Sequence, residues 1–365
     1  MIVQSIRLIS FRNFESVDSC FGAGANIFLG KNGAGKSNLL EAIFLLILGR
    51  SPRGARDVVM IKNGAEFYRL EGKINAGNRD HSISIGYQSG GKRKIFIDKI
   101  SSRSSELFEK CTAVSAGPAD IEILAGPPLI RRNFINIHLS QASAKYLRSL
   151  ADYHNALEQK NAYLKQANMI AESPYDDLIA KYGAFIMLER KKFFDLISPR
   201  AVELYRSISG GGELLISYLP SVRMQENSWA IENIQTAFFE KLKLNRDREK
   251  FLQTAIIGPH RDDIDFYISG HPARTHGSQG ELRTAAIALK LAVFEYLKKI
   301  RKTTPILLLD EVFAELDNTR RQKLIDSFGQ FGQLFLTTAT DIPELAAADS
   351  HRFLIKDGAI TAIDP

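Results

Sequence analysis

One run of eight residues constrains this chain more than any other: Gly30-Lys31-Asn32-Gly33-Ala34-Gly35-Lys36-Ser37, the pattern G-x4-G-K-S. It follows a short β-branched and aromatic run, Ile27 to Leu29, and opens a segment from Lys36 to Leu48 that reads as a helix. Glycines at such a turn let successive backbone N–H groups point inward around the β- and γ-phosphates of a nucleotide. Lys36 adds a point charge to those oxygens, and the Ser37 hydroxyl has the right length to ligate Mg2+. The helix N-terminus behind the loop also favours phosphate. The expected ATP contacts are therefore the whole run from Gly30 to Ser37, with Asn38 behind it. After Glu41 the helix is apolar nearly all round, as suits one buried against a parallel sheet.

Composition narrows the classes. The chain has 365 residues, with 45% hydrophobic and 24% charged, which is ordinary for a folded protein. Its 48 Lys and Arg against 41 Asp and Glu leave a net charge of +7, which permits a polyanionic partner without establishing one. Only Cys20 and Cys111 are present, too few for a disulfide scaffold or a cysteine zinc cluster, and this points to the cytosol. The longest wholly apolar run, Ala42 to Leu48, is far short of the roughly 20 residues that span a bilayer. A cytoplasmic protein with no membrane partner is expected.

Strand-like alternation marks the first 30 residues and again the stretch around 70–100, where SISIGYQ and KIFID suggest an antiparallel layer. From about 107 to 207 glycine becomes scarce and helical spacing takes over, with a break near Glu172-Ser173-Pro174. The β pattern returns after Gly210-Gly211-Gly212, in ELLISYL and DIDFYIS. A long helix over 279–300 then precedes the strands PILLLD and QLFLTT. The organisation expected from this is a head built from 1–106 and 208–365, with an inserted helical arm at 107–207.

Ile306 to Leu309 form an apolar strand that ends in Asp310-Glu311. Alone this is a common strand ending; beside the phosphate loop it reads as a Walker B motif. Asp310 would hold Mg2+ through water, and Glu311 would act as general base on the attacking water. Neighbouring carboxylates on a strand face opposite ways, which suits two roles. Ser278-Gln279-Gly280-Glu281 opens the long helix. A capping box accounts for Ser278 and Glu281. The other reading is a signature motif like that of ABC-type ATPases, with Ser278, Gln279 and Gly280 meeting the γ-phosphate of ATP held by a second subunit. Its place shortly before Asp310 favours the second reading, and Ala314-Glu315-Leu316-Asp317 completes the ABC order, with Asp317 as a further nucleotide contact. The fold expected is α/β, an ABC-type P-loop ATPase head.

This order of parts resembles the SMC-type and double-strand-break-repair ATPases, whose two chain ends join into one head. It is most similar to the bacterial RecF recombination mediators. The resemblance is carried by FRNF (Phe11 to Phe14), GKNGAGKSNLLEAIFLLILGRS (Gly30 to Ser51), GPADIEILAGPPLIRRNFI (Gly117 to Ile135), YHNALEQKNAYLK and GPHRDD (Gly258 to Asp263). It covers nearly the whole chain. Ser37 stands where threonine is more usual, Pro52 interrupts the usual GRSF, and Glu281-Leu282 replace the common Gln-Gln. Leu336-Thr337-Thr338 occupies the strand end where many ABC ATPases place a histidine, so the γ-phosphate sensor is not assigned. The resemblance implies a weak ATPase with Glu311 and Lys36 as catalytic residues, closing as a homodimer on ATP. It further implies binding of duplex and gapped DNA, with RecR and RecO as partners and RecA loaded indirectly. An ABC-type ATPase of another class, tied to defence or a nuclease, and a non-hydrolysing nucleotide-gated scaffold stay open as alternatives.

Three weaker features have plain explanations beside functional ones. His260-Arg261-Asp262-Asp263 suggests a metal or catalytic cluster, though spacing alone argues little for it. Arg131-Arg132, Lys145, Arg148 and Arg190-Lys191-Lys192 suggest either a DNA-binding face or solvated helix faces. Tyr146 and Tyr153, at helical spacing, fit core positions better than base stacking.

Overall fold

The computed structural model describes residues 1–77, 79–166, 173–314, 318–326, 331–340 and 350–363. The first segment runs β1 (Ile2–Phe11), β2 (Phe14–Cys20), β3 (Ala25–Leu29), α1 (Lys36–Leu48), α2 (Asp57–Met60), β4 (Phe67–Ala76), β5 (Arg79–Gln88), β6 (Lys94–Ile97), β7 (Ile100–Ser102), α3 (Ser104–Lys110) and β8 (Ala113–Ala116). The middle runs α4 (Ile121–Ala125), α5 (Pro128–Ala142), α6 (Ala144–Leu164), α7 (Asp176–Ser209), β9 (Leu214–Leu219), α8 (Ile231–Leu252), β10 (Asp263–Ile268), β11 (His271–Pro272) and α9 (Ala273–His276). The last part runs α10 (Gln279–Arg301), β12 (Ile306–Asp310), α11 (Asn318–Asp326), β13 (Leu334–Thr338), β14 (Ser350–Lys356) and β15 (Ala359–Ile363).

These elements form two compact units: Met1–Ile121 with Leu204–Gly211 and Gln279–Pro365, and Glu122–Glu203 with Gly212–Ser278. The division differs from the expected head at 1–106 and 208–365 with an arm at 107–207. Two pairings explain the difference. β8, inside the stretch read as helical arm, pairs in parallel with β12 and so extends the first unit to Ile121. β9 and β10, read as head strands, pair with each other, and β10 packs against α5 in the second unit.

The first unit holds two six-stranded sheets. One has the order β15-β14-β3-β13-β12-β8, with only β15 antiparallel to its neighbour. The other is antiparallel throughout, in the order β2-β1-β4-β5-β6-β7. α1 touches strands of both, which explains why its sequence lacks a polar stripe. Every residue from Leu39 to Leu48 is buried, Glu41 included. The helix lies so close to the antiparallel sheet that a Cβ at Gly72 would stand 2.3 Å from Leu46 Cδ2 and 2.7 Å from the Ser5 carbonyl oxygen. Gln333 stitches the two sheets from below: its side-chain amide accepts from Val3 N–H at 2.7 Å and donates to the Val3 carbonyl at 2.8 Å. Leu46→Ala at such a site would remove about 2–5 kcal/mol of stability.

Candidate functional site

The phosphate-loop residues form the turn between β3 and α1, at the carboxyl ends of the parallel strands. Gly35 has φ 111°, a backbone region open to glycine but strained for other residues, and this turn hands the chain into α1. Asn13, in the β1–β2 turn, braces the loop from outside by donating to the Ala34 carbonyl at 3.0 Å, and Asn38 donates to Asn13 at 2.8 Å. At the start of the loop, a Cβ on Gly30 would lie 2.5 Å from the Ile355 carbonyl, so that strand approaches the turn as closely as backbone allows.

Phosphate-loop and Walker B residues meet in one hydrogen-bonded chain. Ser37 donates its hydroxyl to Asp310 Oδ1 at 2.8 Å, although 273 residues separate them in sequence. Thr337, at the end of β13 between the two motif strands, donates to the same carboxylate oxygen at 2.8 Å. The Thr337 hydroxyl also accepts the backbone N–H of Glu311 at 2.9 Å. Lys36 is almost wholly buried; its ammonium donates to the Gly30 carbonyl at 2.7 Å and lies 2.9 Å from Glu311 Oε1. Glu311 does not follow the strand alternation read from sequence. It lies just past the end of β12 with φ 47°, so a left-handed turn anchored by Thr337 aims its carboxylate back towards Lys36. A residue other than glycine in this region carries a cost on the order of 1 kcal/mol, a kind of strain that clusters at working sites.

A second ring of residues holds this chain in place; Arg12, Glu41, Ser51, Gly117 and Asp120 lie in the stretches that carry the resemblance, but their pattern there assigns none of them a role. Glu41, fully buried one turn beyond Ser37, takes a bidentate pair from Arg12 at 2.9 and 3.0 Å and a hydrogen bond from the Ser51 hydroxyl at 2.5 Å. Arg53 reaches both carboxylates, 3.8 Å from Glu41 and 3.6 Å from Asp310. Gly117, at the end of β8, leaves only 3.0 Å between an added Cβ and Asp310 Cβ, so this position has no room to spare. Asp120 accepts from Gly117 N–H at 2.8 Å and pairs with Lys290 of α10 at 2.9 Å. Thr337 had one available signal, the two hydroxyls that end an otherwise apolar strand.

Ser37 and Asp310 offer two oxygen ligands 2.8 Å apart, the donor set that Mg2+ uses when phosphate oxygens and water complete its shell. The residues present fit that ion. Gln279 and Gly280 open α10, where the neighbours are different: a Cβ on Gly280 would lie 3.5 Å from the Arg320 guanidinium. Burial and the nearby Glu281 carboxylate raise the Tyr205 hydroxyl above its ordinary range there. Asp317, with Glu315 and Leu316, lies outside the described residues.

The GPHRDD segment proves to be internal scaffolding of the second unit. Asp262 is completely buried and accepts from Arg190 at 2.7 Å, the Tyr218 hydroxyl at 2.5 Å and Ser221 N–H at 2.8 Å. Asp263 takes a two-pronged pair from Arg131 at 2.6 and 3.0 Å. Arg131 and Arg190 are therefore neither a DNA-binding face nor solvated, because each is spent on a carboxylate inside the unit. Lys191 and Lys192 stay at the surface and pair along their own helix with Asp195 and Glu189. Tyr146 and Tyr153 are core residues, as their spacing indicated. Among the described residues no group of three or more His, Cys, Asp or Glu side chains is arranged to hold a metal.

His260 has a fixed tautomer. Its Nε2–H donates to the Ala255 carbonyl at 3.1 Å, which leaves Nδ1 to accept the Tyr153 hydroxyl at 2.6 Å. Gly258 has φ 135°, and a Cβ there would sit 2.1 Å from that hydroxyl, so a side chain at this position would break the pair. Burial lowers the His260 pKa from 6.5 to about 4. Below pH 6.5 the unfolded chain takes a proton that the folded chain refuses, so stability falls as the pH drops to about 4 and is unaffected by this group above 6.5. The loss expected is on the order of 3 kcal/mol. Urea midpoints at the two ends of that window, compared between the native chain and His260→Gln, will measure it; an equal decline in both would assign the effect to other groups.

A phosphate loop joined to a Walker B carboxylate, on a head of one parallel and one antiparallel sheet, defines the SMC-like class of ABC-type ATPase heads. The family profile described as the RecF/RecN/SMC N terminal domain matches residues 2–351. The DNA replication and repair protein RecF of Lachnoclostridium phytofermentans is 36% identical over 94% of this chain and 94% of its own length. The protein of the same name from Geobacillus kaustophilus is 33% identical over 99% of this chain and 100% of its own. The chain belongs to the RecF family. Among solved structures, the recombination mediator protein RecF-ATP of the RecFOR pathway superposes with a TM-score of 0.90 at 29% identity, covering 99% of this chain and 97% of the other. The Smc head domain of Pyrococcus furiosus, at 17% identity and a TM-score of 0.59 over 99% and 95% of the two chains, shares the fold. No helix among the described residues is long and apolar enough to cross a membrane.

Proposed function

We propose that this chain is an ATP-gated DNA repair protein of the RecFOR pathway, acting in the cytoplasm. The observation that carries the reading is the hydrogen-bonded chain from Ser37 through Asp310 and Thr337 to Glu311 and Lys36. In it, Gly30, Lys31, Asn32, Gly33, Ala34, Gly35 and Lys36 surround the phosphates of ATP, with Asn38 bracing the loop. Ser37, and Asp310 through water, would hold Mg2+, which would supply charge neutralisation at the phosphate oxygens. Glu311 orients and deprotonates the attacking water. A solved RecF-ATP structure of the same fold supports the choice of nucleotide.

Two copies close head to tail on ATP. Ser278, Gln279 and Gly280 of one subunit, with Asp317, complete the site on the other. Each ATP then touches both subunits, its hydrolysis releases them, and turnover is slow because Glu311 is productive only after closure. The closed dimer binds duplex and gapped DNA and, with RecO and RecR, helps RecA to load at single-strand gaps.

Sedimentation with and without ATP tests the gate. The native chain should pass from monomer to dimer on adding ATP, and Ser278→Arg should abolish that shift while leaving ATP binding by the separate subunit intact. A Ser278→Arg protein that dimerises as the native chain does would remove the two-subunit site.

A further inference from the structure

The antiparallel sheet buries one face against α1 and leaves the other open. We propose that this open face is a docking trough for single-stranded DNA, an inference that rests on the DNA-binding reading above and assigns it a surface. The trough has a volume of about 1030 Å³ and is lined by residues of β1, β2, β4, β5 and β6. Side chains alternate across a strand, so the buried set Tyr68, Leu70, Ile83, Ile85 and Ile95 puts Phe67, Arg69, Ser84, Gly86, Lys94 and Phe96 on the outer face.

Three properties of that face point to one kind of occupant. The first is its floor. Ser82, Ser84 and Gly86 of β5 raise almost no side chain, and the register sets taller residues on both sides: Lys73 faces Ser82, while Arg69 and Lys94 flank Gly86. A central strand of small residues between long ones makes a channel.

The second is charge. Arg7, Arg69, Lys73, Lys92, Lys94 and Lys99 line the trough against only Asp18 and Glu71. Glu71 is already paired with Arg69. Arg7, Lys73, Lys92, Lys94 and Lys99 form no ion pair among the described residues. The chain as a whole is only mildly basic at +7, so five unpaired cations on one sheet face are a local concentration and not a share of the average. They suit a polyanion whose counterions are released on docking.

The third is the pair of aromatic rings. Phe67 is 45% exposed at the rim, and Phe96 is partly exposed beside Ser84. A duplex presents phosphates and keeps its bases stacked inside, which gives these rings nothing to stack upon. A single strand offers both a phosphate backbone for the cations and free base faces for the rings. Open antiparallel sheets with aromatic and basic residues on one face are a known form of single-strand platform. The combination favours the single strand over the duplex.

The test is fluorescence anisotropy with a short labelled oligo-dT and a matched duplex, in the presence of ATP and Mg2+. Phe67→Ala changes an exposed ring and should weaken oligo-dT binding roughly tenfold, with duplex affinity unchanged. The double substitution Lys73→Gln with Lys94→Gln should weaken oligo-dT binding and reduce the slope of log K against log salt by about 1.4, or about 0.7 for each phosphate no longer neutralised. ATPase activity without DNA should stay at the native level in both, since none of these residues belongs to the nucleotide site. Oligo-dT affinity unchanged in both variants would overturn the assignment, as would an equal loss for the duplex. A native chain that binds neither probe would instead sink the DNA-binding reading on which this inference rests.

Discussion

Glu311→Gln is expected to lower ATP turnover by about 10²–10⁴-fold, the range that a positioned general base supplies. The amide keeps the shape of the side chain and still accepts a hydrogen bond from Lys36, which lies 2.9 Å from the carboxylate in the native chain. ATP binding should therefore survive, and the ATP-bound dimer should persist because hydrolysis no longer opens it. Single-turnover hydrolysis beside ATP-dependent sedimentation separates the two effects. Thr337→Val makes a second, smaller test. It removes the hydroxyl that joins Asp310 to the Glu311 backbone, so it should reduce turnover without touching a group that meets phosphate. A Glu311→Gln chain that hydrolyses ATP at the native rate would exclude this carboxylate as the base. A native chain that binds ATP and dimerises without hydrolysis would favour the nucleotide-gated scaffold.

The largest stability effect should follow from breaking the Arg190–Asp262 pair, both of whose side chains are essentially removed from solvent. Arg190→Met leaves the Asp262 charge buried with the Tyr218 hydroxyl and Ser221 N–H as the remaining partners of its side chain among the described residues, and leaves the Pro259 carbonyl, which Arg190 serves at 2.7 Å, with the longer 3.4 Å bond from Asp262 N–H. Removing one partner of a buried pair costs about 3–5 kcal/mol. The double variant Arg190→Met with Asp262→Asn should recover part of that, because the uncompensated charge goes with the aspartate. Urea midpoints at constant slope will measure both steps. A loss below about 1 kcal/mol for Arg190→Met would show that water or a neighbouring cation replaces the guanidinium.

These two sites also show where sequence was readable and where it was not. α1, β12 and β13 were plain because elements buried on both sides carry unbroken apolar runs, and the Gly-rich turn and the strand-ending Asp310 are local patterns. Glu311 was expected to follow the strand pleat, yet a left-handed turn sets its direction, and no local pattern reports that turn. Arg131 and Arg190 looked like surface charge because their partners Asp263 and Asp262 lie 132 and 72 residues away. A helix face that is basic in sequence can be internal when a distant segment brings the matching carboxylates. α8, a helix of 22 residues from Ile231 to Leu252, was missed for the opposite reason. It buries chiefly Ile234, Phe238 and Leu242, a stripe too thin to stand out among so many charged residues. The division into units turned on β8, four residues whose strand character is decided by the neighbour β12 and not by their own pattern.

The order of the parallel sheet bears on how the chain is made. β3, at 25–29, has β13 on one side and β14 on the other, so its partners are residues 334–338 and 350–354. At about 5–20 residues per second, a nascent chain waits roughly 15–60 s between making the first strand and the second. For most of that interval α1, a helix with no polar stripe of its own, has the antiparallel sheet, α3 and β8 to cover it. The side that meets β12 and β13 stays bare until those strands leave the ribosome. The head should then close late and in one step, and a ribosome stalled before residue 334 should hold a chain that is partly built, sticky and in need of a chaperone.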